Sequence, residues 1–294
     1  MPVAMSITDA ELRALLLEYR RENWSGIQTL DTQERVVEDL ISGDSLAPLR
    51  QVEPYLKLSE TSRVLDIGSG VGSFVVACRE RRLNAVGVEP DRIGQCAKLN
   101  SIQIARRRVS PPVFVASVGE RLPFPDQCFD LVTMNQVIEH VSDQAKAIRE
   151  ATRVLRQGGV LYVACPNYLR FYEPHYKIFW LPLMPKAIGR AYLGFRGRSP
   201  AMLQQLTYTT NRRLRKLFAR LGRDYVILDL HREQFLRKRA AGSFVARSTR
   251  LINKLTFLPY LGRLVLGVIL RYGSIREGGC EMLIIRKAEA APEC

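Results

Sequence analysis

Short apolar runs alternate with longer amphipathic segments through the middle of the chain. The runs are rich in Val, Ile and Leu, as in strands that are buried on both faces of a parallel sheet. They lie at 63–67, 85–89, 113–116, 129–134 and 160–165. The segments between them repeat apolar residues at helical spacing and lie at about 71–82, 91–107 and 142–156. This alternation predicts an α/β fold with a doubly wound, mostly parallel sheet.

The first 60 residues have the pattern of a helical cap. Leucines and a tyrosine recur at helical spacing over 8–22, and Thr8 with Glu11 matches a capping box. Further helical stretches cover 32–42 and 46–57. We therefore predict that 1–60 form an N-terminal helical cap, followed by a core at 61–165.

Two segments that are rich in apolar and basic residues, 166–206 and 232–279, do not fit the alternation. We predict that they are insertions, and that 207–231 and 280–288 complete the core sheet between and after them. The longest apolar stretch, 255–270, contains one arginine and an internal proline. As a helix it extends about 24 Å, which is shorter than the ~30 Å hydrocarbon layer of a bilayer. The stretch therefore predicts a helix that lies in the membrane–water interface rather than one that spans the membrane.

A strand followed by closely spaced glycines is the most informative motif. Arg63-Val-Leu-Asp-Ile-Gly-Ser-Gly-Val-Gly72 reads as a buried strand that ends in a tight turn. Glycines at 68, 70 and 72 let the turn form and let a ligand approach main-chain atoms. A helix begins directly afterwards, so the motif predicts a nucleotide-type site at a helix N-terminus.

The acid in this motif bears on which nucleotide binds. Gly68-x-Gly70-x-x-Ser73 nearly fits the dinucleotide pattern of dehydrogenases, with Ser where Gly or Ala is expected. Asp66 lies two residues before the first glycine, where its carboxylate would repel a pyrophosphate. A cationic ligand such as S-adenosylmethionine would be attracted instead, although a dehydrogenase and a purely structural Asp66 remain alternatives.

Four blocks of sequence resemble the class I S-adenosylmethionine-dependent methyltransferases, in the broad group of the ubiquinone and menaquinone biosynthesis methyltransferases. The blocks are Val64-Leu-Asp-Ile-Gly-Ser-Gly-Val-Gly72, Val86-Gly-Val-Glu-Pro-Asp91, Leu122-Pro-Phe-Pro-Asp-Gln-Cys-Phe-Asp130 and Arg153-Val-Leu-Arg-Gln-Gly-Gly-Val-Leu-Tyr-Val163. The resemblance covers about 60–166 well. It implies a Rossmann-like, seven-stranded sheet with an antiparallel last strand at 280–287, and S-adenosylmethionine as cofactor.

The resemblance also implies cofactor-binding residues. Gly68, Gly70 and Gly72 would bring the backbone against the amino-acid part of the donor, and Asp66 would face its ammonium group. Glu89, at the end of the second strand, would accept hydrogen bonds from the ribose hydroxyls. In the family an Asp commonly follows the third strand, near the adenine. This chain has Val118 there, which leaves Gly119 and Glu120 to hold the adenine, while Asn135 lies where the methionine end is expected.

Two histidines are candidates on the acceptor side. His140 is a candidate general base, because the reference pKa of histidine lies near neutral pH. An orienting role at a helix start is the alternative. Tyr172, His175 and Tyr176 follow the fifth strand in Phe171-Tyr-Glu-Pro-His-Tyr-Lys177, where acceptor recognition usually occurs in this fold. A packed loop is the alternative for this segment.

Charge is divided unevenly along the chain. Residues 1–165 hold 20 Lys/Arg and 21 Asp/Glu, whereas 166–294 hold 24 Lys/Arg and 8 Asp/Glu, a net of +16. The basic half therefore predicts a polyanionic partner or an anionic membrane surface, with ordinary solvated charge as the alternative. Burial of the two insertions in an acceptor lid or in a homo-oligomer interface is a further alternative.

Cysteine and histidine contents limit the other possibilities. The six cysteines are scattered along the sequence and predict reduced thiols, and no signal peptide pattern is present. We therefore expect a cytoplasmic protein, either free or at the cytoplasmic face of a membrane. The three histidines, at 140, 175 and 231, are far apart in sequence, so no metal site is predicted.

The sequence predicts a methyltransferase that acts on a small-molecule, lipid-like or glycan acceptor. An RNA-modifying methyltransferase is an alternative suggested by charge alone, since no RNA-binding module is recognisable. A non-catalytic binding module of the same fold is the third possibility.

Overall fold

The computed structural model describes residues 8–42, 45–90, 99–100, 114–230, 232–233 and 279–288. The strands in this part of the chain are β1 Arg63–Ile67, β2 Asn84–Glu89, β3 Phe114–Ala116, β4 Phe129–Asn135, β5 Leu155–Cys165, β6 Tyr172–Glu173, β7 Ile178–Phe179, β8 Tyr225–Asp229 and β9 Cys280–Arg286. The helices are α1 Asp9–Trp24, α2 Leu30–Ser42, α3 Ala47–Val52, α4 Ser73–Glu80, α5 Gln144–Val154, α6 Lys186–Phe195, α7 Ala201–Gln205 and α8 Asn211–Ala219.

Seven of the described strands form one sheet, in the order β3-β2-β1-β4-β5-β9-β8. All neighbouring pairs are parallel except those made by β9, which runs antiparallel to both β5 and β8. The predicted Rossmann-like fold with an antiparallel last strand is therefore confirmed. The strand order reverses between β1 and β4, and ligands of open α/β sheets bind outside the carboxyl ends of strands at such a point.

Helices cover both faces of the sheet, which explains the continuous apolar runs of the central strands. On one face α5 and α8 bury Ile148 and Phe218 against Leu65 and Val132. On the other face α3 and α4 pack their apolar sides over the opposite side chains of the same strands; this cluster includes Leu49, Val52, Val75, Cys78, Val64, Leu131 and Tyr162. A strand enclosed on both faces needs apolar side chains at successive positions, as in Val64, Leu65 and Ile67.

The helix predicted for 142–156 ends earlier than expected. α5 stops at Val154 and β5 begins at Leu155, which pairs with Phe129 of β4. Gly158 and Gly159, which follow the predicted helix in sequence, lie within β5. A Cβ at Gly159 would lie 2.9 Å from the carbonyl oxygen of Asp130, so this glycine permits a close backbone approach at the irregular start of β5.

The segment at 166–206 folds as a β6–β7 hairpin followed by α6 and α7. Its apolar run alternates: Ile178, Trp180 and Met184 are buried, whereas Leu181 and Leu183 are about half exposed. The run therefore packs one side into a local cluster and leaves the other side exposed. The capping box predicted for Thr8 and Glu11 is present at the start of α1.

Several predictions fall outside the described residues. They concern most of the helix at 91–107, most of the apolar-basic segment at 232–279, and His231. Across the residues that are described, no helix combines the length and the apolar character that crossing a bilayer requires. Cys165 and Cys280, distant in sequence, are cross-strand partners and both are free thiols.

Candidate functional site

The glycine turn connects β1 to α4 at the edge where the strand order reverses. Gly68, Gly70 and Gly72 all have positive φ, at 70°, 50° and 80°. The backbone N–H groups of Gly68 and Ser69 donate to the carbonyl of Val88 at 2.7 and 3.0 Å, which ties the turn to β2. A Cβ added at Gly68 would lie 2.4 Å from Val137, whereas one added at Gly70 meets no atom of the described residues within 4 Å. The space above Gly70 is therefore open to a ligand.

Asp66 lies beneath this turn and is almost fully buried, with 6% of its surface exposed. The hydroxyl of Thr133, on the neighbouring strand β4, donates to its Oδ1 at 2.6 Å. Burial raises the pKa of Asp66 to about 7, and the Thr133 hydrogen bond partly opposes that rise. A cation placed beside Asp66 would favour its ionised form.

Glu89 projects from the end of β2 towards the same turn. Its Oε2 accepts a hydrogen bond from the backbone N–H of Gly70 at 2.8 Å. The parallel register pairs Asp66 with Gly87 and Ile67 with Val88. Asp66 and Glu89 therefore lie at the carboxyl ends of neighbouring strands, at the same edge of the sheet. The sequence predicted both acids, but it did not predict that Glu89 holds the glycine turn.

Glu120 and Gly119 lie after β3, in the position suggested for adenine contacts. The Oε1 of Glu120 accepts from the backbone N–H and the hydroxyl of Ser142, at 2.7 and 2.8 Å. These hydrogen bonds lower the pKa of Glu120 in spite of a desolvation effect that raises it. Gly119 is buried near Ile67, while Val118 is 46% exposed. Glu120 thus stabilises the turn before α5, and the exposed apolar side chain of Val118 lies two residues before it in the sequence.

Asn135 is the last residue of β4 and is exposed at the carboxyl edge of the sheet. Gln136 follows with a positive φ of 59°, and its backbone N–H donates to Ala164 at 2.7 Å. The left-handed residue turns the chain sharply out of the sheet. Asn135 therefore lies one strand away from Asp66, since β1 and β4 are neighbours.

The two histidines, distant in sequence, meet in the structure. Nε2 of His140 lies 3.2 Å from Nε2 of His175, with the rings perpendicular. Burial, and then the neighbouring His175, lower the pKa of His140 to about 4, which keeps this imidazole neutral at pH 7. The wide spacing of the histidines along the chain was therefore a poor guide to their distance in the fold.

Two buried glutamates accompany the histidines. Glu173 is fully buried, and its Oε1 lies 2.8 Å from Nδ1 of His175 while its Oε2 accepts from the backbone N–H of Tyr176 at 2.7 Å. Glu139 is also fully buried, and burial raises its pKa to about 7. Among the described residues neither carboxylate oxygen of Glu139 has a hydrogen-bond partner. No role was predicted for Glu139, which directly precedes His140, whereas Glu173 lies in the segment that was predicted for acceptor recognition.

The two tyrosines proposed for acceptor recognition have different environments. Tyr172 is 37% exposed on the short strand β6. Tyr176 is buried in the cluster around Trp180, and its hydroxyl donates to Ser199 at 2.8 Å and accepts from Leu203 at 3.1 Å. The hydroxyl of Tyr176 therefore holds the insertion together, whereas Tyr172 is accessible.

The end of helix α1 and the turn after it contact His175. Trp24 stacks nearly parallel to His175, and Arg20 lies over the Trp24 ring at 3.9 Å. Gln28 donates to the carbonyl of His175 at 2.5 Å and accepts from Arg20 at 2.6 Å. The N-terminal helices thus help to position the insertion that carries His175.

Comparison with known proteins agrees with this geometry. Residues 65–163 match the family described as "Methyltransferase domain". A demethylmenaquinone methyltransferase of Roseiflexus castenholzii is 36% identical over 134 residues, which is 43% of this chain and 54% of that protein. A ubiquinone/menaquinone biosynthesis C-methyltransferase of Xanthomonas oryzae is 34% identical over 128 residues, 42% of this chain and 51% of that protein. The chain thus spans about half the length of each of these relatives.

One solved structure has a similar fold. It is phosphoethanolamine N-methyltransferase 2 of Haemonchus contortus, in complex with phosphomonomethylethanolamine and S-adenosylhomocysteine. The superposition has a TM-score of 0.52 at 17% identity and covers 96% of this chain and 61% of that one. Residues 65–163 therefore match a methyltransferase domain, and they lie in a sheet with the Rossmann-like fold.

Proposed function

We propose that the chain is an S-adenosylmethionine-dependent methyltransferase that acts on a small-molecule, lipid-like or glycan acceptor. The observation that carries the proposal is the open face of Gly70 between two carboxylates, Asp66 and Glu89, at the strand-order reversal. The identity of 34–36% to quinone biosynthesis methyltransferases favours an acceptor of similar, lipid-like character.

The donor would lie along the carboxyl edge of the sheet. Its amino-acid part would contact the main chain at Gly68 and Gly70, with the ammonium group attracted to Asp66. The ribose hydroxyls would donate to the carboxylate of Glu89. The adenine would contact Gly119 and the exposed side chain of Val118. The electrostatics fit a ligand that carries an ammonium and a sulfonium and no phosphate.

Methyl transfer from a sulfonium is an in-line displacement in which the donor already carries the activation. The protein's task is to orient the two reactants and to exclude water. Trp24 of α1 stacks on His175 of the 166–206 segment, whose ring in turn contacts His140, and these parts supply walls for such a site. His140 is neutral at pH 7 because burial lowers its pKa, so one of its nitrogens is available to accept the proton of a hydroxyl acceptor.

An anionic membrane surface is the partner that we propose for the basic half. Seven of the ten exposed large hydrophobic side chains in the described residues belong to 171–195, among them Phe195 at 89% and Ile188 at 58% exposure. The same segment lies in the half of the chain that has a net charge of +16. Apolar side chains among basic ones are typical of proteins that dock on anionic lipid.

Replacing Glu89 tests the donor site. Glu89→Ala should weaken S-adenosylmethionine binding by about 1.5–3 kcal/mol, the scale of hydrogen bonds to a charged group. Glu89→Gln keeps an oxygen for the Gly70 N–H and should lose less. Isothermal titration calorimetry on all three proteins measures both effects. Unchanged affinity in Glu89→Ala would remove Glu89 from the donor site.

The alternative functions give different results in simple assays. A salt-sensitive shift of RNA in a gel would favour an RNA-modifying methyltransferase. A protein that binds the donor but transfers no labelled methyl group to any component of cell extracts would favour a binding module. Mass spectrometry of extracts incubated with isotopically labelled donor identifies the acceptor directly.

A further inference from the structure

One cluster beside the proposed donor site has the composition of a metal centre. Glu139, His140 and His175 each offer one ligand atom, and these atoms all lie within 4.8 Å of one another. They come from two separate parts of the chain: the loop after β4, and the β6–β7 hairpin. The fold therefore brings together two imidazoles and one carboxylate, a donor set that divalent transition metals favour.

We propose that Glu139, His140 and His175 bind a divalent first-row transition metal ion on the acceptor side of the site. The nitrogen positions fit one ion. Two nitrogens at about 2.1 Å from a metal and 3.2 Å apart subtend an angle of about 100°, between the octahedral and tetrahedral values. The carboxylate of Glu139 must move towards the ion, because its Oε1 is 4.0 Å from His140 Nε2. No hydrogen bond to another described residue opposes this movement.

The buried carboxylate is the second observation that indicates a cation. Glu139 is 0% exposed, and neither of its oxygens has a hydrogen-bond partner within the part of the chain that the structure describes. A buried polar group without a partner is costly, and a buried charge more so. A bound divalent cation would satisfy this carboxylate, whereas the neighbouring imidazoles in their neutral form supply no charge.

Glu173 orients one ligand. Its Oε1 lies 2.8 Å from Nδ1 of His175, so Nδ1–H donates to the carboxylate and the lone pair of this imidazole is at Nε2, facing His140. Histidine ligands in metal sites almost always make such a hydrogen bond through the other ring nitrogen. Without a metal, His140 Nε2–H donates to His175 Nε2. With a metal, His140 carries its proton on Nδ1 instead, and it then binds the ion rather than accepting the proton of the acceptor.

The donor set selects among ions. Imidazole nitrogen suits Zn²⁺, Co²⁺, Ni²⁺ and Fe²⁺, whereas Mg²⁺ and Ca²⁺ prefer oxygen ligands. Three protein ligands leave at least one coordination position open, as in sites that bind a substrate. If the proposed methyltransferase function holds, an acceptor oxygen would occupy that position, and the acceptor class narrows to compounds with a hydroxyl group.

Metal binding can be measured directly on the full chain without a histidine tag. After dialysis against a chelator, Co²⁺ is titrated and followed by visible absorption, and Zn²⁺ is titrated by calorimetry. We expect one ion per chain with a visible Co²⁺ band. Glu139→Gln and His175→Ala should each weaken binding at least about 100-fold, and Glu173→Ala, a positioning residue, about 10–100-fold. Glu60→Gln, at an exposed acid remote from the cluster, is the matched control and should bind as wild type.

Two results would overturn the proposal. One is the absence of Zn²⁺ or Co²⁺ binding to the wild-type protein. The other is equal affinity in wild type and in the His140→Ala/His175→Ala double variant, which would mean adventitious binding elsewhere. Circular dichroism checks that each variant is folded. Titration of S-adenosylmethionine into the same metal-free protein tests the donor site separately from the metal site. A protein that binds the donor but no metal would contradict only the metal site.

Discussion

Two buried acids, Asp66 and Glu139, give the site its electrostatic character. Burial raises the pKa of each to about 7, so each is only partly ionised at neutral pH. Both lie next to the places where the donor and the acceptor are proposed to bind. A cation that binds beside either carboxylate favours its ionised form, and the binding energy of that cation therefore depends on pH.

Asp66 should make donor affinity depend on pH. Its pKa lies near 7 in the free protein, and a cationic donor binds the ionised form. Affinity should therefore rise by up to about tenfold per pH unit below pH 7, and level off as pH passes through 7. It should fall again above about pH 8, where the α-amino group of the donor loses its proton. Calorimetry from pH 5.5 to 8.5 measures this profile.

Asp66→Asn provides the control for this profile. The amide keeps an oxygen for the Thr133 hydroxyl and has no charge to titrate. The rise in affinity between pH 5.5 and 7 should disappear in this variant. A rise of the same size in Asp66→Asn would mean that another group titrates.

The glycine turn is the element that determines how close the donor approaches. Gly70→Ala should abolish measurable donor binding, because the added Cβ projects into the open space above the turn. The positive φ of 50° adds a stability cost of about 1–2 kcal/mol, since an L-residue disfavours the left-handed region. Thermal unfolding and donor titration on the same sample separate the two effects.

Gly158→Ala is the matched control for the turn. Gly158 has a φ of 72°, and a Cβ added there also meets no described atom within 4 Å, but it lies in the irregular first part of β5. It should lose a similar amount of stability and bind the donor normally. Equal loss of donor binding in both variants would show that the effect is one of stability alone.

Most helices and strands could be predicted from the sequence, because their formation depends on residues that are neighbours along the chain. The strand and glycine turn from Arg63 to Gly72 and the capping box at Thr8 are of this kind. The cluster of Glu139, His140, Glu173 and His175 was not predicted as a unit, because it depends on how the β6–β7 hairpin folds back. α5 ends at Val154, earlier than predicted, because Leu155 already pairs with Phe129 of β4, and Gly158 and Gly159 lie within β5.

At the scale of the whole molecule, charge and exposed apolar surface lie in the same half of the chain. The half from 166 onwards carries a net charge of +16, and its α6 exposes Ile188 and Phe195 seven positions apart. Residues seven apart lie on the same face of a helix. An apolar face on a basic half predicts docking on anionic membranes.

Vesicle binding tests this prediction. The protein should sediment with anionic vesicles at low salt and much less at 0.5 M salt, because basic residues contribute about 1 kcal/mol each near such a surface and salt screens them. Ile188→Ser with Phe195→Ser should weaken binding about 10–100-fold through lost apolar burial. Leu30→Ser, at an exposed leucine outside this half, should leave it unchanged. Absence of binding to anionic vesicles at low salt would contradict docking.

Calorimetric titration of the wild-type chain with S-adenosylmethionine tests the central claim most directly. The predicted result is saturable binding at one site per chain, with no heat from NAD under the same conditions and no binding to Gly70→Ala. A wild-type chain that takes up NAD, or that gives no saturable heat with S-adenosylmethionine, would contradict the account.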